Sequence, residues 1–186
     1  MVLMETPVCH FGEKAIDFKL RGIDEKEWTL DDCMGEKGLL VMFICNHCPY
    51  VKSIQTRLVK DTLKLMDAGI NSVAIMSNDP SDYPEDSFEN MQKVANEFDY
   101  PFPYLIDTSQ EIAKAYGAIC TPDFFGYNAA LELQYRGRLD ASGMKVTEKE
   151  LKRDLLEAMI EVAESGLGPK KQIPSMGCSI KWKSNS

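Results

Sequence analysis

Residues 39–51 read LLVMFICNHCPYV and join two different hydrophobic patterns. The first six, Leu39–Ile44, form an uninterrupted apolar run rich in branched and aromatic side chains, which predicts a buried β-strand. Downstream, apolar residues recur at helical spacing and predict one buried helix face over roughly residues 50–67; they are Val51, Ile54, Leu58, Leu65 and Met66. A Cys-x-x-Cys motif therefore lies where a strand passes into a helix.

Cys45 and Cys48 are spaced for redox chemistry. Two thiols three residues apart can close a small disulfide ring, and a thiol at a helix N-terminus meets the positive end of the helix dipole. That field favours thiolate over thiol and lowers a cysteine pKa, which makes the sulfur nucleophilic near neutral pH. We therefore take this pair as the centre of the candidate site.

Pro49 leaves the start of the helix open. If Cys45 is the N-cap, Pro49 occupies the fourth helical position, where its ring crowds the Cys45 carbonyl. Alternatively, the helix begins near Pro49, and its dipole then acts more on Cys48. The two alternatives place the stronger helix field on different cysteines.

Length and composition describe one α/β domain with added segments. The 186 residues are 44% hydrophobic and 27% charged, enough for a full core. The formal net charge of −8 argues against a nucleic-acid partner, because phosphate contacts need a basic surface. Two acidic clusters, at 24–36 and 79–89, are interpreted as solvated surface.

The chain shows no membrane or secretion signal. No run reaches the roughly 18 apolar residues of a membrane span, and residues 1–14 lack a secretory core. We therefore expect no membrane association and a reducing, cytoplasmic location. In that compartment the six cysteines are interpreted as free, catalytic or metal-binding rather than as three structural bridges.

Predicted strands and helices alternate along the chain up to about residue 116, and a β-hairpin and a last helix follow. The expected elements are a hairpin from 15–20 and 27–30, a strand at 70–76, a helix from Pro84, a strand ending at 106, a helix at 109–116, a hairpin from 123–127 and 131–136, and a last helix opened by a Thr147/Glu150 capping box. We assign residues 1–168 to one domain with its core at about 13–164. Residues 169–186 form a tail, and the apolar residues in 176–182 predict that it docks on the domain.

This element order, with Cys-x-x-Cys after the first core strand, resembles the thioredoxin fold, an α/β fold with a central mixed sheet flanked by helices. Thr121-Pro122 stands where that fold carries a cis-proline facing the cysteines, and the spacing from Asp107 through Gly117 resembles the TlpA-like and redoxin (AhpC/TSA) proteins. The resemblance implies a thiol–disulfide oxidoreductase without cofactor or metal. Its partners would be a protein or small-molecule disulfide and an external dithiol reductant.

The resemblance also implies roles for individual residues. Cys45, usually the more exposed member, attacks a substrate disulfide, and Cys48 resolves the mixed disulfide. The backbone of Thr121, presented by cis-Pro122, binds the incoming disulfide as an edge strand does. His47, between the cysteines, is expected to stabilise a thiolate or else simply to be exposed.

The sequence departs from the family pattern at the proton-transfer positions. Thioredoxins carry a buried acid on the strand before the cysteines, where this chain has Leu39, and TlpA-like proteins often have a glutamate one turn after the motif, where it has Val51. Asp123 and Asp79 are possible substitutes, or else turn and capping residues.

A second reading is a peroxiredoxin-like thiol peroxidase, which shares the fold. That chemistry needs one thiolate beside a hydroxyl and an arginine that holds the peroxide. Arg136 or Arg138 would supply the cation, but the proline and threonine that precede the peroxiredoxin cysteine are absent around Cys45 and Cys48.

A third reading is a metal-binding protein that uses Cys45, Cys48 and His47 with Cys120 or Cys178, since thiolates beside imidazole suit zinc or copper(I). The chain has no second Cys-x-x-Cys at finger spacing, which weighs against it. Cys120 and Cys178 remain open within the redox reading as well. Each is either a buried structural thiol or an auxiliary one, with Cys178 brought to the site by the docked tail as a resolving or relay thiol.

Overall fold

The computed structural model describes residues 2–144 and 151–184. Its central sheet has seven strands in the order β3-β2-β6-β5-β4-β8-β9. The strands are β2 (Lys19–Gly22), β3 (Glu27–Thr29), β4 (Gly38–Phe43), β5 (Ile70–Met76), β6 (Tyr104–Ile106), β8 (Asp123–Asn128) and β9 (Leu133–Tyr135). The β4–β5 and β5–β6 pairs are parallel and the other pairs antiparallel, which confirms the predicted α/β fold with a central mixed sheet.

In the described ranges, five α-helices flank the sheet: α1 (Leu30–Cys33), α2 (Pro49–Asp67), α3 (Phe88–Glu97), α4 (Glu111–Tyr116) and α5 (Asp154–Ser165). The central strand β4 is buried along its whole length, so its alternating side chains enter two separate cores. Leu40 and Met42 join a cluster with α2, α3 and α5, whereas Leu39 and Val41 join one with α1 and α4. Among the described helices, none is both long and apolar enough to cross a membrane.

A second, smaller sheet lies beside the first. It consists of β1 (Leu3–Glu5), β10 (Met176–Ser179) and β7 (Cys120–Thr121), with β10 in the middle and both pairings antiparallel. Gly177 is required in β10 because a Cβ there would lie 2.1 Å from the carbonyl oxygen of Thr121. The last described segment of the chain is therefore held directly against the strand that precedes Pro122.

Several boundaries differ from the sequence-based expectation. The first hairpin forms, but its strand β2 begins at Lys19 because only the part opposite β3 pairs. Pro84 opens a single 3₁₀ turn, and α3 begins after the N-cap Ser87, whose side chain accepts a hydrogen bond from the Asn90 N–H. The α4 helix begins after Gln110, whose φ of 64° is left-handed. The expected Thr147/Glu150 capping box lies outside the described residues.

Candidate active site

The loop between β4 and α2 carries both motif cysteines. The α2 helix begins at Pro49, and Cys48 is its N-cap with an extended backbone (φ −67°, ψ 122°). Proline is well suited to the first helical position, where no N–H is needed. The second alternative for Pro49 is therefore correct, and the helix dipole acts most directly on Cys48.

Both thiols converge on the residue before a cis-proline. The Thr121–Pro122 peptide bond is cis. The Cys45 Sγ lies 3.1 Å from the Thr121 hydroxyl, and the Cys48 Sγ lies 3.2 Å from the Thr121 carbonyl oxygen. The structure thus brings Cys45, Cys48, Thr121 and Pro122 together from two distant parts of the chain.

Neither motif cysteine reaches the surface. Cys45 is 1% exposed and Cys48 is 0% exposed, so the expectation that Cys45 is the exposed member of the pair is wrong. The physical reason is the smaller sheet, because β10 pairs with the backbone of Thr121 and lies over the motif. The edge that was expected to receive a substrate strand is already paired within the chain.

The electrostatic environment places negative charge on Cys48. A hydrogen bond from the Cys45 thiol outweighs the effect of burial and, with further hydrogen bonds from the Cys178 thiol and the Val51 N–H, lowers the pKa of Cys48 to about 5. Burial, the hydrogen bond to Cys48 and the nearby negative charge of Asp86 raise the pKa of Cys45. These interactions favour the thiolate at Cys48 and the protonated thiol at Cys45.

Asp86 shapes the motif loop and was missed by the sequence analysis. It is fully buried, so interpreting the whole 79–89 cluster as solvated surface is wrong. Its Oδ1 accepts hydrogen bonds from the Asn46 and His47 N–H groups (2.8 and 3.1 Å), and its Oδ2 lies 2.6 Å from His47 Nδ1 and accepts from Asn78 Nδ2 at 2.8 Å. Burial opposes ionisation of this carboxyl, but the hydrogen bonds from His47, Asn78 and Asn46 hold its pKa below the usual value.

His47 is buried against the protein rather than exposed. Its ring stacks on Tyr83 with the ring centroids 4.1 Å apart, and its Nδ1 faces Asp86. Its Nε2 has no hydrogen-bond partner among the described residues. The His47 imidazole was expected to stabilise a thiolate. The pKa of Cys48 is instead lowered by hydrogen bonds from thiols and backbone N–H groups.

The two candidate substitutes for the missing proton-transfer acid differ in environment. Asp123 is fully buried and forms an ion pair with Arg136 over 3.0 Å, while burial raises its pKa. Asp79 is half-buried and accepts hydrogen bonds from Ser81, as a turn residue does.

The arginines proposed for peroxide binding have other partners. Arg136 forms an ion pair with Asp123, and Arg138 forms one with Asp154 at 2.9 Å. These contacts give no support to a peroxide-binding role for either guanidinium group.

The auxiliary cysteines separate into two cases. The Cys178 Sγ lies 2.6 Å from the Cys48 Sγ, so the docked tail does bring this thiol to the motif. Cys120 is buried two residues before Pro122 and directs its thiol to the Pro122 carbonyl at 3.6 Å. Burial raises the pKa of Cys120, as expected for a structural thiol.

The residues that could together bind a metal ion differ from the set predicted from the sequence. One ligand atom each from Cys45, His47 and Asp86 lies within 4.8 Å of the others in the described part of the chain. Both carboxylate oxygens of Asp86 already take part in hydrogen bonds. Two of these hydrogen bonds come from backbone N–H groups. This cluster is therefore explained as a hydrogen-bond network that holds the loop.

An open cavity of about 190 Å³ lies next to cis-Pro122. Its lining includes Tyr50, Phe124 and Arg138 on the domain side, and residues 173–176 on the tail side. Cys45 and Cys48 are almost completely buried, so neither thiol is open to this cavity.

Most of the chain matches a known protein family. A model described as the AhpC/TSA family matches residues 11–142. Among curated proteins, the search found no match.

Two solved structures are similar over nearly the whole chain. An uncharacterized conserved protein from Geobacillus kaustophilus is 44% identical, with a TM-score of 0.92 and coverage of 100% of this chain and 99% of that one. A hypothetical protein from Sinorhizobium meliloti 1021 is 36% identical, with a TM-score of 0.89 and coverage of 97% and 99%. A thiol:disulfide interchange protein of the thioredoxin family from Chlorobium tepidum TLS is 18% identical, with a TM-score of 0.60 and coverage of 81% and 94%, and it shows the fold alone.

Proposed function

This chain belongs to the AhpC/TSA family, and from that membership we propose that it is a thiol–disulfide oxidoreductase whose redox pair is Cys45 and Cys48. The single observation that carries the proposal is the convergence of both thiols on Thr121, at 3.1 and 3.2 Å, directly before a cis-proline. Two adjacent thiols of unlike pKa are what exchange chemistry requires, because one must be a thiolate while the other keeps its proton.

In this proposal Cys48 is the attacking thiolate and Cys45 the resolving thiol, the reverse of the roles that the family resemblance implies. The Cys48 thiolate attacks a substrate disulfide, forms a mixed disulfide and expels one substrate thiolate. The Cys45 thiol then attacks the Cys48 sulfur, expels the second substrate thiol and closes the Cys45–Cys48 disulfide. An external dithiol restores both thiols and is itself oxidised to a disulfide.

The burial of the pair favours a small disulfide as substrate. A protein substrate cannot pair with the Thr121 backbone while β10 occupies it, whereas a small molecule needs only the cavity beside Pro122 and a movement of the tail. We also propose that the protein works in the reducing cytoplasm, where the thiols of the redox pair are kept reduced between turnovers.

The test is turnover of bis(2-hydroxyethyl) disulfide with dithiothreitol as the reductant. Wild-type protein and the control variant Cys9→Ser should turn over alike, because Cys9 is half-buried and remote in sequence from the motif. Cys48→Ser should lose at least about 100-fold in rate, since serine is not ionised at neutral pH. Oxidised wild-type protein should contain a Cys45–Cys48 bond within tryptic peptide 38–52.

Two results would overturn the proposal. One is a Cys48→Ser variant with the wild-type rate. The other is fast consumption of hydrogen peroxide with sulfenic acid at a single cysteine and no exchange with the small disulfide, which would instead support the peroxidase reading.

A further inference from the structure

Cys178 is part of the same thiol cluster as the motif. Its Sγ lies 2.6 Å from the Cys48 Sγ, although 130 residues separate the two cysteines. Cys178 is 1% exposed and lies opposite Thr121 in the β7–β10 register. The contact is therefore inside the site and not on the surface of the protein.

The tail is held in this position by contacts on both sides. Ser175 and Thr6 exchange hydrogen bonds, with Thr6 N–H donating to the Ser175 carbonyl at 2.9 Å and Ser175 N–H donating to the Thr6 hydroxyl at 3.0 Å. The Ser175 hydroxyl also donates to the Pro122 carbonyl at 2.9 Å. Gly177 allows β10 to approach Thr121 more closely than any other residue could. These contacts hold the tail in place and so keep Cys178 next to Cys48.

The Cys48 sulfur interacts with both of the other thiols. Hydrogen bonds from the Cys45 and Cys178 thiols favour its thiolate form, and its Sγ lies 2.6 Å from the Cys178 Sγ. In thiol–disulfide exchange, the attacking and leaving sulfurs must both be adjacent to a central sulfur. Cys48 meets this condition for an exchange that involves Cys45 and Cys178.

We propose that Cys178 is a third redox-active thiol, which forms a disulfide with Cys48 as an alternative to the Cys45–Cys48 disulfide. This rests on the proposed function, because the oxidising equivalents come from the substrate disulfide. Cys178 resolves the mixed disulfide at Cys48: its sulfur bonds to the Cys48 sulfur, the bond from Cys48 to the substrate sulfur breaks, and the Cys178 proton leaves on the released thiol.

The two disulfides also interconvert without any further oxidant. Cys178 attacks the Cys48 sulfur of the Cys45–Cys48 bond, the Cys48–Cys178 bond forms, and Cys45 leaves and takes up the proton that Cys178 loses. No electrons are gained or lost in this step. Its result is that the tail becomes covalently attached to the motif, and Cys45 is again a thiol.

The experiment counts the thiols released from bis(2-hydroxyethyl) disulfide by stoichiometric reduced protein in a single turnover. Cys45→Ser should release two thiols per protein and form a link between tryptic peptides 38–52 and 172–181, found by mass spectrometry after alkylation of the remaining thiols. The double variant Cys45→Ser/Cys178→Ser should release one thiol and retain a mixed disulfide on Cys48. The twofold difference in released thiol is the quantity measured.

The outcomes separate this proposal from the proposed function. If Cys45→Ser stops at one released thiol with a mixed disulfide, Cys178 is not a redox residue, even when Cys178→Ser releases two thiols and forms the Cys45–Cys48 bond. If Cys178→Ser, which retains both motif cysteines, releases no thiol from the substrate, the proposed function fails as well. Wild-type protein oxidised by the same disulfide serves as the second measurement, since the 38–52/172–181 link should appear there beside the Cys45–Cys48 bond, and its absence contradicts the proposal.

Discussion

Replacing Asp86 with alanine removes the acceptor of four hydrogen bonds from a site that is closed to solvent. The donors are the Asn46 and His47 N–H groups, the His47 ring and the Asn78 amide, at distances from 2.6 to 3.1 Å. A buried donor that loses its partner costs about 1–3 kcal/mol, although water entering the space left by the carboxylate recovers part of this. We expect Asp86→Ala to lower the free energy of unfolding by about 3–5 kcal/mol.

Urea denaturation of the reduced protein measures this change. With a slope of about 2 kcal/mol/M for a domain of this size, the midpoint should fall by roughly 1.5–2.5 M. Asp82→Ala is the matched control, because Asp82 is an exposed acid of the same cluster and its loss should change stability by no more than about 0.5 kcal/mol. A shift for Asp86→Ala as small as that of the control would refute the role assigned to Asp86.

We expect the contribution of the Asp86 carboxylate to stability to depend on pH. Its folded-state pKa lies below its unfolded value, so its contribution to stability is fully present above the unfolded pKa of about 3.9 and is lost as pH falls through the folded pKa. The stability advantage of wild-type protein over Asp86→Asn should therefore shrink as the pH falls below about 4. A difference that grows towards acid pH would contradict the assignment.

Two further predictions concern the thiols and the tail. Ultraviolet thiolate absorbance of the reduced protein should titrate with a midpoint of about 5 for Cys48, and this midpoint should rise in Cys45→Ala because the largest stabilising hydrogen bond is lost; a wild-type midpoint at an ordinary cysteine pKa would contradict this. Gly177→Ala should push β10 away from Thr121, where a Cβ would lie 2.1 Å from the carbonyl oxygen, and should speed alkylation of Cys48 by iodoacetamide. Met176→Ala, at an exposed position of the same strand, is the control, and equal alkylation rates in the two variants would refute the role of the close approach.

The parts of the fold that follow local pattern were predictable from the sequence. The apolar run of β4, the helical spacing after Pro49 and the strand at 70–76 each identify their element because burial of one face dictates the period. Thr121-Pro122 could be placed opposite the cysteines only through the family resemblance, since nothing in the local pattern relates residues so far apart. The start of α2 was left open because both alternatives satisfy the local pattern.

The site itself was only partly predictable, because its burial depends on long-range contacts. Asp86 belongs to an acidic run that reads as surface, and its burial follows from the position of its turn after β5, beside the end of β4. The one available signal was topological, since β4 and β5 are parallel neighbours and the segments that follow them meet at the same edge. The burial of Cys45 depends on β10, whose Met176–Ser179 sequence has no distinct strand pattern.

The β7–β10 pairing has a consequence for synthesis of the protein on the ribosome. About 130 residues separate Cys48 from Met176, so at roughly 5–20 residues per second the nascent chain carries Cys45 and Cys48 for about 6–26 s before β10 is made. During that interval the newly made motif is uncovered and depends on the surrounding redox buffer to stay reduced. Synthesis and pairing of β10 is thus the event that shields these thiols.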